Sequence, residues 1–343
     1  MKKLLVLFAI LCLFVSTGSA QDRVTLTNGD AIVGDVKSMK HAVLVIETDY
    51  SDSDFTIDWK DVQDLTTSGT YIIGLAGGKK VDGTITIVNQ TVTITDADGG
   101  QIENMSHLKV IYLNAIDKGF WDKVNASIDG GFTHSKASNN NQFTLRGTAA
   151  YMSTKINPDL YANFVQSAID ANDSVRVNSK RRNYGGNFRM FFSKSWFAIT
   201  GADFLTSDEQ GLDLRSTYSL GVGYFPISTY RMLLNVSTGI ALNNEILSDD
   251  VMGEDNTSTE GFVSMEYNAF GLDDISIVSS VKYYPSLSDG GRNRLNASID
   301  LKLDLPKDFY IGLGYTVNYD SEPTGEDIPG TDYVVQTTVG WSL

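Results

Sequence analysis

The chain is poor in cysteine, proline and histidine: its 343 residues hold one Cys, six Pro and three His. The lone cysteine, Cys12, lies in the first apolar run, which excludes a disulfide scaffold and structural Cys-based zinc sites. Beyond residue 20 no segment approaches the ~20 apolar residues that a membrane helix needs. Basic residues are also in deficit, with 27 Lys plus Arg against 42 Asp plus Glu and a formal charge of −15, so nucleic acid is a poor partner. What is present is 42% hydrophobic residues, 31 Gly and 16 Tyr, enough apolar material for packed cores and a length suited to roughly two domains.

The N-terminus reads Lys2-Lys3, an apolar run from Leu4 to Val15, then Ser16-Thr17-Gly18-Ser19-Ala20. That order is expected of a secretory signal peptide (residues 1–20) cleaved before Gln21, with Gly18 and Ala20 as the small residues before the cut. Loss of Lys2 and Lys3 takes the charge to −17 and removes Cys12, leaving an exported chain without thiols.

From residue 21 to about 114, short β-branched strands separated by Gly and Asn turns repeat once. Leu26-Thr27-Asn28-Gly29-Asp30-Ala31-Ile32-Val33-Gly34 aligns with Leu75 to Gly83 at an offset of 49. Val43 and Val45 then fall on Val92 and Ile94, and Phe55-Thr56-Ile57 on a shorter strand near Gln101-Ile102. Asn28-Gly29 is a hairpin signal in which both central residues favour positive φ. Tandem SH3-like or Sm-like small barrels are expected, although a single two-lobed β-domain reads the same way. Trp59 and Val62 could line a peptide groove, but a Trp in an alternating pattern is more often core. His41 and His107 read as surface or hydrogen-bonded residues, since no spacing here forms a zinc site.

From residue 118 to 343 the alternation lengthens. In Leu295 to Asp304, Leu295, Ala297, Ile299, Leu301 and Leu303 face one way, and Asn296, Ser298, Asp300, Lys302 and Asp304 the other. Leu212 to Tyr224 behaves alike. About twelve such segments, starting near Lys123, Phe143, Leu160, Asn183, Trp196, Leu212, Met232, Gly261, Ile275, Leu295, Phe309 and Tyr333, predict an antiparallel transmembrane β-barrel of ~12 strands, with an even strand count. Short connections, such as Ser193-Lys194-Ser195 and Ile227-Ser228-Thr229, alternate with long ones, including Asn243 to Thr259 and Ser321 to Thr331. Short turns are expected in the periplasm, which puts the N-terminal domain there too.

Aromatic residues at strand ends beside the short turns, Trp121, Trp196, Phe225, Tyr230, Phe270, Phe309, Tyr310 and Trp341, are expected at the membrane interface. By the same parity Lys123, Arg146, Arg189, Arg215, Lys282 and Lys302 point into the lumen, with Asp129, Asp203, Asp213, Glu266, Asp300 and Asp304. Equal numbers of both signs suit cross-strand pairs in a narrow or plugged lumen of low, weakly selective conductance, and not the one-sign ring of a selective pore.

The stretch Asn244 to Glu260 holds Glu245, Asp249, Asp250, Glu254, Asp255 and Glu260 without a basic residue. Asp249, Asp250, Glu254 and Asp255 are weak Ca²⁺ candidates, or could bridge lipopolysaccharide through divalent cations; a solvated acidic loop is the plainer reading, because the spacing is not that of an EF-hand. His134-Ser135 is the sole His near the outer end, but neighbours on a strand face opposite ways, so His134 cannot activate Ser135. No catalytic residue, metal or cofactor is expected.

The stretch from Leu212 to Ile227, with its Gly-Val-Gly-Tyr, together with Tyr319-Asp320-Ser321-Glu322-Pro323, Asp332 and the final strand, resembles the salt-induced outer-membrane protein family over Trp121 to Leu343. The resemblance implies an outer-membrane barrel of a Gram-negative bacterium and supplies no catalytic residues. Such chains commonly end on an aromatic residue read by the barrel-assembly machinery, whereas this one ends Gly340-Trp341-Ser342-Leu343. The expected setting is therefore outer-membrane lipid and lipopolysaccharide, with the periplasmic domain docking a protein or peptidoglycan, or plugging the lumen. A small-solute pore and a secreted β-rich adhesin are the alternatives.

Overall fold

The computed structural model describes residues 21–96, 99–116, 120–135, 140–172, 175–249, 255–272, 275–305, 309–323 and 329–342. The signal-peptide segment thus lies outside the described residues. Ten strands form the N-terminal domain: β1 (Asp22–Leu26), β2 (Ala31–Lys40), β3 (Val43–Glu47), β4 (Phe55–Asp58), β5 (Val62–Thr66), β6 (Tyr71–Leu75), β7 (Lys80–Val88), β8 (Thr91–Asp96), β9 (Gln101–Ser106) and β10 (Val110–Ala115). Short 3₁₀ turns η1 (Trp59–Asp61) and η2 (His107–Lys109) precede β5 and β10.

Each half supplies five strands and one 3₁₀ turn in the same order, but the halves do not close separately. Hydrogen bonding runs β1-β5-β7-β6-β10-β2 and returns to β1, a ring of six strands with three from each half. The crossings are β5 on β7, through Leu65↔Ile87, and β10 on β2, through Leu113↔Met39. One interleaved six-stranded barrel thus stands in place of the two side-by-side barrels expected. The β3–β4 and β8–β9 hairpins extend from it. The physical reason is burial: the halves contribute Val24, Val36, Met39, Trp59 and Leu65, and Tyr71, Ile85, Ile87, Val110 and Leu113, to a single core.

Two details depart from the expected repeat. A β-bulge between Val36 and Ser38 inserts one residue into β2, so the offset falls from 49 to 48 beyond it. The buried Leu44 and Ile46, not Val43 and Val45, are therefore the partners of Val92 and Ile94. At Asn28-Gly29 only Gly29 takes positive φ, whereas the tight two-residue turns with positive φ at both positions are His41-Ala42 (52° and 68°) and Asn89-Gln90 (47° and 61°).

After η3 (Trp121–Lys123) the chain forms β11 (Val124–Ser135), β12 (Asn140–Tyr151), β13 (Ile156–Asn172), β14 (Val175–Phe191), β15 (Trp196–Ser207), β16 (Leu212–Ser228), β17 (Met232–Leu247), β18 (Asn256–Leu272), β19 (Ile275–Pro285), β20 (Asn293–Asp304), β21 (Phe309–Asp320) and β22 (Thr331–Ser342). Each pairs with the next, and β22 closes on β11 through four pairs from Ser127↔Ser342 to Gly130↔Val339. This is a closed antiparallel barrel of twelve strands. Its outer wall carries exposed apolar residues, among them Leu160, Phe188, Leu220, Val222, Ile240, Val263, Leu313 and Val335. Several strands run longer than the alternation indicated: β14 begins at Val175, not near Asn183, and β17 and β18 consume most of the expected long loop from Asn243 to Thr259.

Candidate functional site

The inward side chains of the large barrel form layered ion pairs that reach across the lumen. Nearest the short turns, Arg146 on β12 pairs with Asp129 on β11 (2.8 Å) and with Asp300 on β20, while the Tyr310 hydroxyl donates to Asp129 (2.8 Å). Beside this group Arg189 on β14 pairs with Asp159 on β13 (2.7 Å) and, across the barrel, with Glu266 on β18 (2.9 Å). Asp203 accepts hydrogen bonds from the Asn183 amide (2.8 Å) and the Tyr161 hydroxyl. Lys282 shares this level, within the field of Glu266 and Asp203. Nearer the long loops, Glu245 is fully buried between Arg215 (2.7 Å) and Arg292 (2.9 Å). Arg292 also pairs with Asp320 (2.6 Å), Arg294 with Glu260 (2.6 Å), and Arg181 with Asp332. Contacts spanning four or five strands, such as Arg189 to Glu266 and Arg215 to Asp320 (3.5 Å), cross the lumen interior.

At the short-turn mouth the lumen is aromatic. Phe191, Phe197 and Phe225 stand at this end, and the buried cluster they belong to runs up the lumen through Ile199, Phe262 and Ala241 to Tyr284, beside Arg294. Two hairpin tips of the N-terminal domain meet this mouth. The β6–β7 tip brings Gly77, whose carbonyl accepts from Ser195 Oγ (2.9 Å), and Lys80, whose Nζ lies 3.3 Å from the Phe191 ring centroid. The β2–β3 tip stacks His41 on Phe270 at 4.0 Å and 17°, and the Lys40 amine donates to Asn125. Tyr230, from the β16–β17 turn, packs against the small barrel's core. Burial, with Arg189 close by, pulls the Lys80 amine down to about 7.

These positions correct several expectations. Trp121, Trp196 and Trp341 lie on the outer surface at the short-turn end, 74%, 47% and 40% exposed, as does Phe309. Phe270 and Tyr310 are buried and face inward, because strand parity, not nearness to a turn, sets the face: Phe309 points out and Tyr310 in. Phe225 also packs inward, and Tyr230 belongs to the contact with the small barrel. Of the lumen charges, Asp129, Arg146, Arg189, Asp203, Arg215, Glu266 and Asp300 join the networks above, and Lys302 sits 4.4 Å from the Tyr310 ring centroid. Asp213 does not: a bulge between Leu212 and Leu214 turns it out, where it accepts from Ser248 Oγ (2.9 Å). Lys123 lies in η3 before the first strand, and Asp304 is exposed at the end of β20.

The acidic loop also dissolves in part. Glu245 and Glu260 are buried strand residues paired with arginines, and Asp255 caps the Leu247 amide (3.1 Å). Asp249 lies just past β17, whereas Asp250 and Glu254 fall outside the described residues. Among the described residues no cluster of three potential ligands could hold a metal ion. The side chains of His134 and Ser135 lie outside the described set as well. Asp159, Arg181, Glu245, Glu260, Arg292, Arg294, Asp320 and Asp332 were missed as lumen charges; alternation carried beyond the apolar part of each strand would have found most of them. Trp59 is core, as its pattern indicated, and His107 is buried against it.

No curated protein matches the sequence. Among solved structures the chain is similar to the KdgM porin (10% identity, 63% of this chain and 99% of that chain, TM-score 0.34). It is also similar to the NanC porin in a rhombohedral crystal form (9%, 63% and 97%, TM-score 0.36) and to the translocator domain of the autotransporter NalP from Neisseria meningitidis (12%, 64% and 86%, TM-score 0.32). Residues 123–342, all twelve strands of the large barrel, match the family described as protein of unknown function DUF481, and the chain belongs to that family.

Proposed function

We propose that this protein is an outer-membrane β-barrel held shut from the periplasm by its own N-terminal domain. The exposed apolar wall suits lipid, since a closed barrel satisfies its backbone hydrogen bonds internally. The observation that carries the closure is the β6–β7 tip at the mouth, with Ser195 donating to Gly77 and the Lys80 amine on Phe191. Behind it ion pairs cross the lumen, and on this reading the barrel conducts weakly or only after rearrangement. No catalytic role is part of this reading.

The test has two parts. Outer-membrane fractions run boiled and unboiled should show a band that shifts on heating, and planar-bilayer recordings of the full chain should show small, infrequent openings. A soluble protein without a heat shift would return the apolar wall to an adhesin's core. Steady, nanosiemens conductance with strong ion preference would favour an open pore.

A second reading, docking of a periplasmic partner, is favoured by Val88 (58% exposed) and Leu108 (39%). They occupy the repeat positions of Lys40 and Lys60, which in the first half stand beside the barrel.

A further inference from the structure

The outward face of the large barrel is nearly free of charge, and its described exceptions are informative. Among the outward positions whose side chains are described, the cations are Lys180 and Arg182, neighbours on one face of β14 and both exposed; by register Asp170 on β13 and Arg176 on β14 fall on the same face, opposite each other. The other outward charge with a described side chain is Asp213, at the end of β16. Against a chain of net charge −15, two exposed cations side by side on an apolar wall are a concentrated positive feature. Arg182 lies across from Phe164 on β13, its guanidinium carbon 5.8 Å from the ring centroid, and across from Thr206 on β15. The nearest carboxylate in the structure's hydrogen bonding is Asp208, whose Oδ2 accepts the Lys180 backbone amide (2.9 Å), not its amine.

Height along the wall decides what these cations meet. Trp196 marks the lower aromatic level, and β15 climbs ten residues from it to Thr206, the partner of Arg182. At ~3.3 Å per residue and a tilt of about 40°, that climb is about 25 Å, the height of the apolar band of such barrels. Arg182 therefore stands at the far boundary of the hydrocarbon, with Lys180 just above. Directly below is an aromatic ledge: Tyr184 stacks on Phe204 at 5.3 Å, and Phe204 meets Tyr218 edge-on at 5.9 Å.

We propose that Arg182 and Lys180, above the ledge of Phe164, Tyr184, Phe204 and Tyr218, bind the phosphate of a phosphorylated glycolipid of the outer leaflet, of the lipid A type. The guanidinium offers a planar fork to phosphate oxygens, the Lys amine adds a second charge, and the rings receive the sugar edge and upper acyl carbons. The proposal rests on the orientation given under Proposed function, with the long loops outward.

Native mass spectrometry of the full chain in detergent tests it, using bisphosphorylated lipid A, its monophosphorylated form and phosphatidylethanolamine as probes. One bisphosphorylated lipid A per chain should be retained. Arg182→Gln with Lys180→Gln should weaken that binding by about tenfold or more, as expected for loss of a charge-assisted hydrogen bond, while phosphatidylethanolamine is unaffected. Phe164→Ala should weaken it with both cations in place. An unchanged heat shift shows that the variants fold. Equal lipid A binding by wild type and double variant, or complete displacement by millimolar inorganic phosphate, would overturn the site. Orientation is read separately: Asn178→Cys, in a chain whose own cysteine is confined to residue 12, should react with an impermeant maleimide on whole cells. Labelling without lipid A binding sinks the site alone, and absence of labelling sinks the orientation and the proposal with it.

Discussion

Trp59 and His107 each donate a side-chain hydrogen bond to the other's backbone carbonyl, Nε1 to His107 at 3.0 Å and Nε2 to Trp59 at 3.1 Å. They are the first residues of η1 and η2, equivalent positions of the repeat, so the two bonds are related by its internal symmetry. Both groups are buried, and each bond joins one half of the small barrel to the other. Trp59→Phe keeps a ring but leaves the His107 carbonyl without this donor, which should destabilise the domain by about 1–3 kcal/mol. Trp59→Ala adds a cavity and should cost about 3–5 kcal/mol. Denaturant titration with limited proteolysis of residues 21–116 reads both, while an unchanged heat shift shows the large barrel intact. Equal stability of wild type and Trp59→Phe would mean that the reciprocal bonds contribute nothing net.

Gly78 is packed tightly against the β14–β15 turn. Its φ is +81°, and a Cβ there would lie 2.1 Å from the Lys194 carbonyl oxygen and 2.7 Å from Ser195 Oγ. Gly77 has a similar φ of +82° but open space around it. Ala at 77 therefore meets only the left-handed backbone penalty, about 1–2 kcal/mol, whereas Ala at 78 meets that penalty and a backbone clash. Gly78→Ala should expel the tip, exposing residues 77–80 to protease and raising conductance. Gly77→Ala should leave the mouth closed. Indistinguishable variants would show that strain, not contact with the β14–β15 turn, governs the tip.

How much of this was legible varies from strand to strand. β20 could be read residue by residue because Leu295 to Leu303 keep strict apolar parity, and parity is what a closed barrel wall imposes. The upper arm of β14 escapes because beyond Tyr184 it is polar on both faces, Arg181 inward and Arg182 outward, so hydropathy does not alternate there. Glu245 and Glu260 looked like loop for the same reason, and a single bulge turned Asp213 the wrong way. Interleaving of the small barrel leaves no local trace at all: β5 presents the same pattern whether its neighbour is its own half's strand or β7. The His41-Ala42 turn lacks the Gly that usually announces positive φ, so the tip that meets Phe270 was invisible.

Lys80 ties closure to pH. Docked, its amine is pulled down to about 7 by burial and then by Arg189; released into water it returns to about 10.4. Between those values the released tip holds more protons than the docked one, so docking strengthens as pH rises through that window and is weakest at and below its lower end. Openings in planar bilayers should be more frequent near pH 6.5 than near pH 9. Lys80→Met retains the stem over Phe191 without the charge, and should be closed at both pH values. A pH response that survives in Lys80→Met would assign it to other groups.

The lumen ion pairs should matter more to stability than the exposed ones. Glu245 has no exposed surface and accepts from Arg215, Arg292 and the Asn243 amide (3.1 Å). Glu245→Ala leaves two buried guanidiniums short of a counter-charge, and removing one member of a buried pair costs about 3–5 kcal/mol. Arg292 retains Asp320, which limits the loss, and Glu245→Gln keeps an acceptor, so the order of stability should be wild type, Gln, Ala. The temperature at which the unboiled band converts to the boiled form measures it. Asp58→Asn is the contrast: its pair with Lys60 is 56% and 47% exposed, so the water around it already screens the attraction, and the denaturant midpoint of the small barrel should match wild type. Conversion of Glu245→Ala at the wild-type temperature would mean that water reaches the upper layer and screens it equally well, and the lumen would then be wet enough to conduct.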